Sequence, residues 1–145
     1  MSNALHLAIG NKLYSSWSLR PWVLMTALGI PFDETVIAMH RDDTKAEMLK
    51  FSAIGKVPVL NDDSIKIWES LAIMEYLAER FPDKAIWPTD RAARAHARAI
   101  SNEMHAGFQA LRNACPMNLG KRFARKTYND AVMADVARID RKSVV

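Results

Sequence analysis

Two short stretches hold residues whose types and spacing could do chemistry. In "KVPVLNDDSIKIWES", residues 56–70, Val57, Val59 and Leu60 read as a strand with Pro58 inside it. Proline has no amide hydrogen to give, so in a sheet it belongs on an edge or at a bulge, and the backbone beside it is open to another partner. Glu69 and Ser70 then fall at the start of a helix, where free amides and the positive end of the dipole attract carboxylates. In "YSSWSLRPW", residues 14–22, Ser15, Ser16 and Ser18 gather hydroxyls around a second helix start, with Trp17 among them. Each stretch also has a plain reading. Pro58 could simply guard an edge strand, and serines or a glutamate in a first turn cap any helix. Lys56 is either a partner for an anionic group or an exposed strand lysine.

The elements that must position these residues follow from hydrophobic periodicity. "ALHLAIG" alternates as a first strand. A helix is expected to start at about Ser16 to Ser18, because Pro21 is tolerated only in a first turn, and Gly29 is a good stop. Its apolar side would comprise Leu19, Trp22, Val23 and Leu28. "IPFDETVIAM" gives a second strand and "DDTKAEMLKFSAIG" a short polar helix. "VPVLNDDSIKIW" reads as a hairpin around a tight turn of Asn61, Asp62 and Asp63. "ESLAIMEYLAERF" is a helix with Leu71, Met74, Leu77 and Phe81 at helical spacing. The resulting order, β-α-β-α-β-β-α over residues 1–82, is a thioredoxin-like α/β domain in which one crossover joins parallel strands and a hairpin adds an antiparallel edge. The stretch "PDKAIWPTD", with two prolines, makes residues 83–90 a linker. Residues 91–145 read as helical. A long helix runs through "RAARAHARAISNEMHAGFQALRNA", with Ile100, Met104, Phe108 and Leu111 on one side. Another covers "ARKTYNDAVMADVARID", with Val132, Val136 and Ile139 apolar.

Bulk properties bound the function classes. The 145 residues are 50% hydrophobic and 25% charged, an ordinary globular composition. No apolar run approaches the roughly 20 residues that span a bilayer, and the first residues lack the pattern of a signal peptide. A single cysteine, Cys115, excludes an intramolecular disulfide and points to a reducing compartment, so a cytoplasmic location is expected. The net charge of +4 is concentrated late in the chain. Arg91, Arg94 and Arg98 share one helix face, read as solvated, since neither interleaved aromatics nor a nucleic-acid-binding motif accompanies them. His6, His40, His96 and His105 show no metal-ligand spacing.

The pairing of "GKVPVL" with "ESLAIMEYL", followed by a proline-bearing linker and an alanine-rich helix, resembles the cytosolic glutathione S-transferases. Within them, "YSSWSLRPW" is similar to the serine-rich segment of the zeta class, the maleylacetoacetate isomerases. The resemblance implies glutathione as cosubstrate, a small electrophilic second substrate, and a homodimer. It implies a cis bond before Pro58, with the backbone of Val57 pairing with the cysteinyl part of the tripeptide as an added strand does. Ser70 would hold the γ-glutamyl carboxylate, Glu69 its ammonium, and Lys56 the other anionic end. Ser15 matches the catalytic serine of the zeta class, with Ser16 held in reserve, and Trp17 and Ser18 complete the binding segment. Gln109 and Asn113 resemble residues that reach glutathione from the helical domain. The thiol of glutathione has a pKa of roughly 8.5, so a donated hydroxyl would raise its thiolate fraction at neutral pH.

Departures from the pattern are equally specific. Trp17 stands where zeta enzymes usually carry cysteine, which narrows the site. Ser15 and Ser18 occupy the places of a thioredoxin's paired cysteines, so dithiol chemistry is excluded there. The helical part is partial by the family's standard, and the chain reads as C-terminally truncated. An apolar strip around Phe108, Val132, Val136 and Ile139 is therefore expected to lack its usual cover, and "RIDRKSVV" to abandon the helical periodicity. Three readings stay open: a transferase or isomerase, a binding module without turnover, and an inactive fragment.

Overall fold

The computed structural model describes residues 5–142. The chain forms two compact units, Met1–Trp87 and Pro88–Val145, divided inside the 83–90 segment.

The first unit is built on strands β1 (Leu5–Ile9), β2 (Phe32–Val36), β3 (Val59–Asp62) and β4 (Ile65–Trp68). They lie in the order β2-β1-β3-β4. β1 and β2 are parallel, which requires a crossover, and helix α1 (Ser16–Ala27) supplies it. β3 runs antiparallel to both β1 and β4. Helix α2 (Thr44–Leu49) links β2 to β3, and α3 (Ser70–Arg80) follows β4.

Alternation along β1 decides which helix goes where. Leu5, Leu7 and Ile9 face one side and pack with Leu60, Met25, Ile30, Ile73 and Leu77, so α1 and α3 cover that face. Ala8 faces the other side with Val59, Ile37 and Met48 from the α2 region. A tyrosine–carboxylate contact fixes α3 to the sheet. The Tyr76 hydroxyl donates to Asp62 Oδ2 at 2.7 Å, and burial together with this bond holds the phenol above its ordinary pKa.

Several expectations change in detail. Pro21 lies beyond the first turn of α1, and the helix continues through it, buried against the core. The buried face of α1 is Ser18, Pro21 and Met25, and Val23 is exposed. On α3 it is Ser70, Ile73 and Leu77. Of the expected apolar residues, Leu77 is in the core and Trp22, Leu28 and Phe81 pack against it, but periodicity missed the serine that each helix turns inward. The hairpin turn falls at Asp63 and Ser64, since Asn61 and Asp62 still pair in the ladder. Pro58 does not guard an edge: it precedes β3, an interior strand whose ladder begins one residue later, so its missing donor is not needed there.

In the second unit the expected long helix breaks into α4 (Arg91–Ala106) and α5 (Gln109–Ala114). Phe108 between them is left-handed, with φ 65°, and buried. Asp90 caps α4 by accepting the Ala93 amide at 2.7 Å. Helix α6 (Asp130–Lys142) starts later than the sequence suggests and keeps its helical form into "RIDRK", while residues 143–145 lie outside the described residues. Asp135 on α6 accepts the Leu111 amide at 3.0 Å, closing an open donor in the first turn of α5. Phe108 and Val132 are buried, so the expected bare strip is reduced to Val136, which is exposed, with Ile139 half-buried. Of the arginines on α4, Arg94 binds the carbonyls of Pro88 and Thr89, and the exposed face they form is solvated.

Candidate functional site

The sheet register brings the two chemical stretches to one end of the first unit. Ala8 pairs with Val59, and Val59 with Trp68. One residue further along this register, Pro58 stands level with Ile9 on one side and Glu69 on the other. The end of β1, the entry to β3 and the start of α3 therefore meet there. In open α/β sheets, ligands bind in the crevice off the strand ends.

The β1–α1 turn is tied to this end by hydroxyls. The Gly10 amide donates to Ser18 Oγ at 2.9 Å, and Ser15 Oγ lies 3.0 Å from Ser18 Oγ. Ser18 is fully buried, whereas Ser15, Ser16 and Trp17 are half-buried. Ser15 occupies the N-cap position, and its carbonyl accepts the Leu19 amide, yet its side chain caps nothing. Its hydroxyl lies against Ser18 instead. This corrects the expectation that one of these serines caps the helix. Ser18, placed by the sequence among the ligand-binding residues, is an internal residue that reaches the site through Ser15. The Arg20 guanidinium lies over the Trp17 ring at 4.2 Å, which holds the indole against its own helix.

The turn is braced from outside as well. Lys12 Nζ pairs with Glu34 Oε1 at 2.6 Å, and Trp22 Nε1 donates to Glu34 Oε2 at 2.7 Å. Lys12 also sits 4.5 Å from the centroid of the Trp22 ring. The Lys12 hydrogen bond, opposed by burial and aided by Trp22, holds the Glu34 carboxyl below its ordinary pKa.

The β4–α3 turn differs. The Val57–Pro58 bond is cis, and Val57 makes no backbone hydrogen bond outside the helices and strands among the described residues. Glu69 is exposed and strained, with φ 69° and ψ 125°, a conformation that costs of order 1–3 kcal/mol in a residue other than glycine. Ser70 is 1% exposed, and its Oγ is buried without a hydrogen-bond partner among the described residues. Such a group costs about 1–3 kcal/mol when nothing meets it. A hydroxyl aimed from a helix start, beside an open backbone edge, is what an anionic peptide end would satisfy. The residues present therefore fit a small peptide ligand with a carboxylate.

Lys56 is exposed beside Val57. Gln109 and Asn113 lie one turn apart on α5, both exposed, in the second unit. Cys115 is half-buried, and its thiol, together with burial, pushes the Tyr128 phenol above its ordinary pKa. Among the described residues no group of His, Cys, Asp or Glu side chains is arranged to hold a metal ion. None of their helices is long and apolar enough to cross a membrane. Sequence reasoning missed Gly10. A Cβ there would stand 3.1 Å from Met39 Sδ, 3.2 Å from Ser15 Oγ and 3.3 Å from Ser15 Cβ, so Ser15 keeps its place only beside a glycine. A glycine closing "LAIG" was the one available signal.

Residues 14–80 match the family model described as glutathione S-transferase, N-terminal domain. The chain belongs to the glutathione S-transferase family. It is 35% identical over 105 residues to a probable maleylacetoacetate isomerase of Caenorhabditis elegans, which covers 70% of this chain and 49% of that protein. It is 30% identical to a zeta-class glutathione S-transferase of Euphorbia esula, covering 74% and 50%. The chain thus spans about half the length of the curated relatives it matches. Among solved structures, a glutathione transferase homolog from Burkholderia with bound glutathione aligns with a TM-score of 0.63 at 27% identity, over 77% of this chain and 58% of that one. A transferase of the omega class from Trametes versicolor aligns with a TM-score of 0.72 at 24% identity, over 95% and 61%, a likeness of fold. The thioredoxin-like α/β domain followed by helices is the architecture of this transferase family.

Proposed function

We propose that this transferase-family chain binds glutathione at the strand-end crevice and conjugates or isomerises a small electrophile. The observation that carries the reading is the buried, unpartnered Ser70 hydroxyl at the start of α3. Bound glutathione supplies a thiol whose anion attacks electrophiles. Ser70 and the first amides of α3 hold a carboxylate, Glu69 pairs with an ammonium, and the Val57 backbone accepts and donates along the peptide. Lys56 meets the far carboxylate. Ser15 donates its hydroxyl to the sulfur, with Ser16 next in line, and Trp17 bounds the site. The working form is a cytoplasmic homodimer.

Calorimetric titration of the wild-type chain and Ser15→Ala with glutathione, followed by turnover with model electrophiles, tests this. Binding by both proteins with turnover only in the wild type is the expected result. No heat of binding from folded protein would sink the reading. Binding by both with turnover by neither would favour a binding module.

A further inference from the structure

Ser15 and Ser18 share one hydrogen bond, and its direction decides what Ser15 can do. Either hydroxyl can donate across the 3.0 Å gap. If Ser15 donates inward, it turns lone pairs to the crevice and repels an anion there. If Ser18 donates to Ser15, the Ser15 proton is free to point outward. Ser18 Oγ already accepts the Gly10 amide at 2.9 Å, which polarises its own O–H and favours donation onward. Ser18 is fully buried, and its Oγ meets Ser15 Oγ within hydrogen-bond reach. Gly10 also lets Ser15 approach, since a Cβ there would crowd Ser15 Oγ at 3.2 Å.

We propose that Ser18 is a positioning residue, a buried hydroxyl that passes the Gly10 amide dipole to Ser15 and so turns the Ser15 proton toward an anion in the crevice. The proposal rests on the reading of Ser15 as the hydroxyl that stabilises a thiolate. Ionisable side chains flanking the pair are engaged elsewhere: Lys12 with Glu34, Arg20 over Trp17, and Tyr14 beside the His40 ring at 6.1 Å.

The test is a double-mutant cycle read by the ultraviolet absorbance of thiolate as glutathione-saturated protein is titrated with base. Wild type, Ser15→Ala, Ser18→Ala and the double variant are compared, each checked by circular dichroism. Ser15→Ala is expected to raise the bound thiol's pKa by about 1–2 units. Ser18→Ala should raise it by about half a unit or more in the wild-type background, and by nothing in the Ser15→Ala background. If Ser15→Ala leaves the pKa unchanged, the reading of Ser15 itself fails, and the role of Ser18 falls with it. If Ser15→Ala shifts it and Ser18→Ala does not, the role of Ser18 alone is overturned. An equal Ser18→Ala shift in both backgrounds also overturns it, because the residue would then not act through Ser15. Should Ser18→Ala not fold, Gly10→Ala keeps the Ser18 hydroxyl and displaces Ser15. A raised thiol pKa in that variant is the expected result, and an unchanged one overturns the proposal.

Discussion

The two helix starts at the strand-end crevice are chemically alike and physically opposite. Both place a serine in the first turn of a helix that packs on the same sheet face. At α1 the polar groups satisfy one another, Gly10 with Ser18 and Ser18 with Ser15. At α3 the Ser70 hydroxyl is buried with no partner among the described residues, and the preceding Glu69 is strained. Groups that find partners within the chain maintain shape. A costly group held open is set aside for something that arrives from outside.

Breaking each start separately sharpens that contrast. The largest effect is expected at α1, where Ser18→Ala strands the Gly10 amide and costs about 1–3 kcal/mol in urea unfolding. A loss under half that lower bound would show that water replaces the hydroxyl. At α3 the same deletion should leave stability alone, because Ser70→Ala removes an unmet group, while glutathione affinity falls roughly tenfold, about 1.4 kcal/mol. Unchanged affinity would remove Ser70 from the site. Glu69→Gly should relieve the backbone and raise stability by up to about 1–2 kcal/mol, less the extra entropy that glycine loses on folding. A melting temperature below wild type would mean that the Glu69 side chain matters more than its strain.

The smallest effect is at the brace behind Ser15. The Glu34 carboxyl titrates lower in the folded chain than unfolded, so its contribution is present above the unfolded pKa and is lost as pH falls through the folded one. Both partners are about a third exposed, so Glu34→Gln should cost only about 0.2–1 kcal/mol at neutral pH and nothing at a pH low enough to protonate the carboxyl in the folded chain. An equal loss at both pH values would refute the ionic account.

Much of the first unit was legible because its signals are local. Period-two alternation in "LHLAI" and the helical spacing from Leu71 to Phe81 each specify an element without distant help. Pro58 beside Val57 and the Glu69–Ser70 pair stand out for the same reason. What the sequence hid depends on neighbours far along the chain. Whether β3 is an edge or an interior strand depends on β1 pairing with it across some fifty residues. Inward-facing serines look polar to any periodicity, so Ser18 and Ser70 were left out of the buried faces of α1 and α3. The break at Phe108 was concealed because residues 91–114 keep helical spacing throughout. Gly107, whose Cβ would stand 2.9 Å from the Glu103 carbonyl oxygen, marks it only once the backbone is known.

The carboxylate that closes the first turn of α5 belongs to Asp135, 24 residues further along the chain than the Leu111 amide it accepts. During synthesis the chain emerges in order at about 5–20 residues per second. Leu111 is therefore joined to the chain a second or more before its acceptor exists. Through that interval the α5 segment, only six residues long, has neither the length nor the cap to persist as a helix. The first turn of α5 is thus closed only once α6 has been made: α5 waits for α6.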